Sequence, residues 1–246
     1  MGWWSRHHET EAVRRHFAEF LDLSPHAREQ ALAGAEAPAW IAAAAQYGLV
    51  EAQLLHGQLL LDRGDPALAL RWFRAAAEAN HPPAQNMVGR CLEKGWGTAP
   101  DLPEAARHYR LAAEAGLDWA QFNLGMVLLY GIGLERDRIQ AHTWFERAVA
   151  QGHAKAANML GRFHEEGWDR PPDMAAATSF YRMAAEGGDF RARFNLATIY
   201  LNAGRRADAL PLLQAAWAEG SPDFKEEAGA ALRNSGDPDL LAIAVR

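Results

Sequence analysis

The chain repeats itself at an interval of 36 residues, and no other feature limits its possible folds as much. Ala84, Ala120, Ala156 and Ala192 stand one interval apart. So do Gly89, Gly125 and Gly161, Gly95, Gly131 and Gly167, and Ala105, Ala141 and Ala177. Asp65, Asp101, Asp137 and Asp173 keep the same spacing. A period of this size marks a solenoid, in which each unit buries its apolar face only by stacking on its neighbours. The expected fold class is therefore all-α, an array of stacked helix-turn-helix units.

Within residues 81–116, Ala84, Val88, Gly89 and Leu92 fall at helical spacing and predict a first helix to about Lys94. Gly95 and Gly97 end it, because glycine enters positive φ without steric cost. Asp101 with Glu104 three residues on reads as a capping box that opens a second helix. Ala105, Ala106, Tyr109, Ala112 and Ala113 form the buried stripe of that helix, and Gly116 stands at its C-terminal cap. Residues 117–152 and 153–188 restate the plan, and shorter units of 32 residues flank them at 49–80 and 189–220. A partial sixth unit opens at Ser221-Pro222, repeats Asp65-Pro66 as Asp237-Pro238 and runs to Arg246. Trp40 and Ile41 lie 32 residues before Trp72 and Phe73, so residues 37–47 read as the second helix of an irregular leading unit. Residues 9–34 predict one or two further helices with Ser24-Pro25 as a cap. The expected organisation is an N-terminal helical cap over 1–47, five repeats over 48–220, and a C-terminal partial repeat and cap over 221–246.

The unit pattern A-x3-LG-x5-G-x-G followed by D-x3-A-x2-[WH]-[FY]-x2-AA-x3-G resembles the Sel-one-like repeat (SLR) family, a relative of the tetratricopeptide repeat. Ala120, Leu124, Gly125, Gly131, Gly133, Asp137, Ala141, Trp144, Phe145, Ala148 and Gly152 carry it best. Asp169 replaces the second turn glycine in the fourth unit, and Ala197 replaces the helix glycine in the fifth. The resemblance implies an α-solenoid, a right-handed superhelix of helix pairs. It also implies a protein-interaction adaptor or scaffold, often in bacterial signalling, envelope or secretion pathways. Secreted relatives staple each repeat with a cysteine pair, which this chain lacks.

Composition narrows the function. Hydrophobic content of 49% with 23% charged residues is that of a folded protein. The net charge of -6 opposes a sequence-independent nucleic-acid binder, which needs a basic footprint. Cys91 is the only cysteine, so no intramolecular disulfide forms. The opening residues hold no apolar run of signal-peptide length, and no stretch of about 18 apolar residues exists to cross a membrane. The cytoplasm is the expected compartment, without membrane insertion, and abundant Ala and Arg suit a bacterial source.

Candidate chemistry is sparse. Gly95-Trp96-Gly97 and Gly131-Ile132-Gly133 follow helices, whereas phosphate-binding glycine loops follow strands, so they read as turns. His7-His8-Glu9 is the nearest histidine cluster, yet a closed metal site wants three or four convergent ligands. Cys91 reads as a small packed residue, with a mildly reactive thiol as the alternative. The periodic aspartates read as helix caps. Neither a catalytic constellation nor a cofactor is expected.

The interaction surface is expected on the edge of each first helix opposite its buried stripe, which lines the concave groove in tetratricopeptide-like stacks. The candidate partner-binding residues are Leu54 and Gln58, then Asn86 and Arg90, then Trp119, Phe122, Met126 and Tyr130, then Asn158 and Arg162, then Phe194 and Thr198. Leu129 shares this edge. The third unit breaks the polar pattern of its neighbours with an aromatic and methionine cluster bordered by arginines, a hot-spot composition. The alternative is that Phe122 and Phe194 pack between units. Gly125, in mid-helix, is expected at a helix contact that accepts alanine if one methyl fits and rejects leucine.

The leading expectation is a non-enzymatic adaptor, a monomer or weak oligomer, that holds a protein or peptide in the groove. A bacterial immunity or chaperone-like protein that sequesters a toxin or effector is the alternative, and an enzyme with an unrecognised site is a third.

Overall fold

The structure, a computed structural model, describes residues 2–33 and 37–244, with the side chains of 2–10, 29, 32, 33 and 37 not described. Arg246, expected to end the last helix, Gly34 and the His7-His8-Glu9 side chains lie outside the described residues. Fifteen α-helices and no strand occur among the described residues. α1 (Gly2–Leu21), α2 (Pro25–Ala33) and α3 (Ala37–Gln46) lead. Helix pairs follow: α4 (Val50–Asp62) with α5 (Pro66–Glu78), and α6 (Pro82–Lys94) with α7 (Leu102–Glu114). Next come α8 (Asp118–Tyr130) with α9 (Arg138–Val149), and α10 (Ala154–Glu166) with α11 (Met174–Glu186). The last are α12 (Phe190–Asn202) with α13 (Arg206–Glu219), and α14 (Pro222–Asn234) with α15 (Pro238–Ala244). The fold is an α-solenoid of consecutive packed pairs.

The chain forms two compact units, one of residues 1–120 with 132–135, the other of 121–131 with 136–246. In the first unit the leading helices close on α4. Phe17, Phe20, Ala44, Ala45 and Ala52 form a buried cluster with Trp40 and Trp72 packed against it, and Phe20 meets Trp40 edge-on at 5.0 Å. Ser24 caps α2 by accepting from the Ala27 amide at 3.3 Å. In the second unit a cluster runs from Ala157, Tyr181 and Leu196 through Leu213 to Leu240 and Ile243.

One register fixes how each pair closes. A Cβ on Gly57 would stand 2.6 Å from Phe73, and one on Gly89 would stand 2.7 Å from Tyr109. In the second unit the same atom on Gly125 would stand 2.6 Å from Phe145, and on Gly161 2.5 Å from Tyr181. Each ring is fully buried, so it has no room to retreat. The condition on which Gly125 would accept alanine, room for one methyl, is not met, because the first methyl already collides. In the fifth pair Ala197 takes the glycine position and Leu213 the aromatic one, a smaller partner for a larger contact residue.

The aspartates cap the second helices. Asp65 accepts from the Leu68 amide at 3.2 Å, Asp101 from Glu104 at 3.0 Å, Asp137 from Gln140 at 2.9 Å, and Asp173 from Ala176 at 3.0 Å. Removing such a cap costs about 1 kcal/mol. The reciprocal half of the expected capping box is not made. Glu104 instead pairs with Arg107 at 2.6 Å, while the Asp101 amide donates to the Leu92 carbonyl at 2.9 Å. The Asp137 and Asp173 amides repeat this on Leu128 and His164, so the preceding helix satisfies the cap residue. At the C-terminal side, Gly116, Gly152 and Gly188 take positive φ, and Asn80 does so at the same register. Asparagine is the side chain that best tolerates that conformation.

Candidate functional site

A cleft of about 680 Å³ opens in the second unit. First helices build it: Phe122, Met126 and Tyr130 from α8, then Asn158 and Arg162 from α10, then Phe194 from α12. α14 closes one end with Phe224, Glu227 and Ala228, and α11 contributes Tyr181. Phe122, Met126, Tyr130, Arg162 and Phe194 stand outside the fully buried stripe of their helices, and the interval of 36 residues between Phe122, Asn158 and Phe194 brings one register of three successive first helices to this cleft.

The floor is aromatic and partly structural. Phe122 is half-buried, stacks on His153 at 4.9 Å and tilts against Phe145 at 5.9 Å. Phe194 meets Phe224 edge-on at 5.6 Å. Both rings thus line the cleft and also pack against rings of neighbouring helices. Tyr130 is 51% exposed at the cleft's edge.

The polar groups divide by helix end. At the N-terminal ends of α10 and α12 stand Lys155 and Arg191, with Asp189 accepting from the Ala192 amide at 2.7 Å. Burial pushes the Asp189 carboxyl up against the opposing pull of that amide, Arg191 and Lys155. At the C-terminal end of α10 stand Glu165 and Glu166. Tyr181 donates to Glu165 at 2.5 Å, and burial followed by that carboxylate keeps its phenol protonated. Arg162 pairs with Glu166 at 2.8 Å and lies over the Trp168 ring at 4.9 Å. Between the two ends, Asn195 donates to Asn158 at 3.0 Å and joins neighbouring first helices.

Six of the twelve candidate residues thus line this cleft: Phe122, Met126, Tyr130, Asn158, Arg162 and Phe194. Thr198 is exposed on α12, donates to the Phe194 carbonyl at 3.0 Å and stands outside the lining. The other five lie in the first unit. Leu54 and Gln58 are half-buried on α4, with Gln58 donating to Asp62 at 2.7 Å. Arg90 is exposed above the Trp96 ring at 5.2 Å, and Trp119 is 48% exposed. Asn86, expected on the open edge, is buried, as is Asn158 at its register, because this position faces the packing between first helices. Leu129 is also buried, packed at the register where its neighbours hold Glu93 and Glu165. Lys155, Met159, Arg191, Asn195 and Phe224 were missed. The signal for four of them was present, since Trp119, Lys155 and Arg191 share one register, as do Asn123, Met159 and Asn195.

Outside the cleft, Cys91 is buried and its thiol is pushed up to about 11, chiefly by that burial, so it is a packed residue. No group of three or more His, Cys, Asp or Glu side chains able to hold a metal ion occurs among the described residues. No helix among them is long and apolar enough to cross a membrane.

Stacked helix pairs with a cleft built from their first helices define a tetratricopeptide-like repeat solenoid, a class that generally serves as a protein-interaction scaffold. The Sel1 repeat model matches residues 41–81, 82–117, 120–153 and 154–189, and the chain belongs to that family. A Sel1 repeat protein from Oxalobacter formigenes has a similar solved structure, with a TM-score of 0.70 and 28% identity over 81% of this chain and 85% of that one. The "DAP3-binding cell death enhancer 1" of Rattus norvegicus is 42% identical over 139 residues, 56% of this chain and 27% of that protein. The "Chitin synthase regulator SKT5" of Malassezia restricta is 39% identical over 66 residues, 27% of this chain and 5% of that protein. The chain therefore spans only a minor part of these two relatives.

Proposed function

We propose that this protein is a non-enzymatic adaptor that holds an extended segment of a partner protein in the cleft of its second unit. The observation that supports this most is the convergence of Phe122, Asn158 and Phe194, one register in three successive pairs, on a single cleft. Phe122, Met126, Phe194 and Phe224 offer apolar and aromatic surface to the partner's side chains. Lys155 and Arg191 at one rim receive acidic groups, and Glu165 at the other receives a basic one. A charged rim around an aromatic centre is the arrangement in which a few central contacts carry most of the binding. The cytoplasm, where a single buried thiol stays reduced, suits this role.

Affinity capture from native lysate with the full chain, followed by calorimetry on the captured protein, tests the proposal. Met126→Asp places a charge in the centre of the cleft on a half-buried side chain. It is expected to weaken binding at least tenfold while the melting midpoint stays close to the parent's. Undiminished affinity would move the binding surface elsewhere.

A further inference from the structure

Three departures from the repeat meet at one place in the second unit, away from the cleft floor. His142 stands at the register of Leu70, Ala106 and Thr178, and His164 at that of Leu92 and Leu128. Asp169 stands at the register of Gly97 and Gly133. Apolar or small residues elsewhere in the array are here replaced by three titratable side chains, all buried. His142 is 4% exposed, His164 8%, and the Asp169 side chain 5%.

Their contacts form one cluster between α9, α10 and the turn that follows α10. The His142 ring meets His164 edge-on at 5.9 Å and Phe163 at 5.4 Å, while His164 lies flat on Phe180 at 5.3 Å. Arg170 from the turn is 3.4 Å from His142 Nδ1 and binds Asp169 at 2.9 Å. Glu146, on the same helix as His142, stands 3.6 Å from Nδ1. His142 Nε2 and His164 Nδ1 are buried without a hydrogen-bond partner.

The neutral form of His142 suits this setting, because its Nδ1 then accepts from the Arg170 guanidinium. Burial first and Arg170 second hold its basicity below the ordinary histidine range; His164 acts in the same direction, and Asp169 and Glu146 act against them. The sign follows. A histidine whose folded basicity is depressed leaves stability intact above its ordinary value of about 6.5 and loses it as pH falls below that value. Protonation removes the acceptor and sets a second cation beside Arg170, while the Asp169 carboxylate is already committed to that guanidinium.

The turn that would loosen also shapes the cleft. Trp168 precedes Asp169, its indole N–H donates to Glu166 at 2.8 Å, and its ring supports Arg162. Glu166 and Arg162 both line the cleft. We propose that the His142–His164–Asp169–Arg170 cluster is an acid-sensitive latch that holds this turn and, through Trp168, fixes the charged rim of the cleft. Its regulatory meaning rests on the cleft being the binding site; the latch itself does not.

Hydrogen exchange on the full chain between about pH 7.5 and about pH 5, with exchange times scaled for the intrinsic rate, tests it without a partner. In the parent, amides of residues 139–148 and 160–173 are expected to lose protection several-fold more than those of α12. The variant His142→Leu with His164→Leu restores leucines found at these registers and is expected to lose protection evenly across these segments. Protection in the parent that is unchanged near pH 5 would overturn the latch, and so would a variant that loses as much as the parent. The parent measurement decides by itself if the variant does not fold. Failure of the cleft variants to affect partner binding would remove the regulatory meaning and leave this result intact.

Discussion

The third and fourth helix pairs share a backbone plan and fill it with different chemistry. In the third, Phe145 fits against Gly125 and buried Leu129 stands at the register of Glu165; in the fourth, Tyr181 fits against Gly161 and donates to Glu165. The second pair matches the fourth, with Tyr109 donating to Glu93 at 2.7 Å. A buried tyrosine hydroxyl occurs where a glutamate receives it, and phenylalanine occurs in the third pair, where leucine takes the glutamate register. The contrast separates two jobs. Glycine, ring and aspartate cap recur because they close the first four pairs, whereas residues that break the period distinguish one pair from another.

That separation is broken most severely by a wrong size at the glycine register. Gly125→Ala is expected to cost about 1–3 kcal/mol by overpacking against Phe145, with Gly125→Leu costing more, measured by denaturant unfolding. Adding Phe145→Leu to Gly125→Ala reproduces the Ala197 and Leu213 solution. It should recover part of the loss, with a coupling of at least about 0.5 kcal/mol. Strictly additive costs would show that ring and glycine do not share one space.

Exchanging the polar chemistry has the next largest effect. Phe145→Tyr buries a hydroxyl in a pair whose glutamate register holds Leu129 and is expected to cost about 1–3 kcal/mol. Tyr181→Phe removes only the donor to Glu165 and should cost about 0.5–1.5 kcal/mol. Tyr181→Phe with Glu165→Leu copies the third pair and should lie closer to the parent than the single change does. Equal melts for all of these variants would mean that the matched pairs are incidental.

The smallest expected signal is chemical. Cys91 belongs to the periodic scaffold, and its thiol, pushed up to about 11 chiefly by burial, should resist labelling by a disulfide reagent at neutral pH. Labelling should become fast only on unfolding. Rapid labelling of the folded chain would show that this face of α6 opens.

The same division explains what could be read from the sequence. Helix pairs, aspartate caps and the α3 helix with Trp40 were legible because each is a local pattern repeated at fixed spacing. Six of the eighteen residues that line the cleft could be named from the sequence, Phe122, Asn158 and Phe194 among them because they share a register. The burial of Asn86 and Leu129 was not, because it depends on what the neighbouring helix presents. The lack of room at Gly125 was hidden too, for spacing fixes which residues meet but not the gap between them. The histidine latch joins three separate segments through contacts that no single helix pattern contains.

In this protein, partner binding is proposed to reside in the residues that depart from the period. The most direct measurement is affinity capture and calorimetry with Phe122→Asn, Met126→Arg and Tyr130→Lys combined, which gives α8 the residues α6 carries as Asn86, Arg90 and Lys94. This variant is expected to unfold still as one helical array, less stable than the parent by the loss of the Phe122 contact, with partner binding reduced at least tenfold. Binding retained at the parent's affinity on this regularised helix would contradict the proposal.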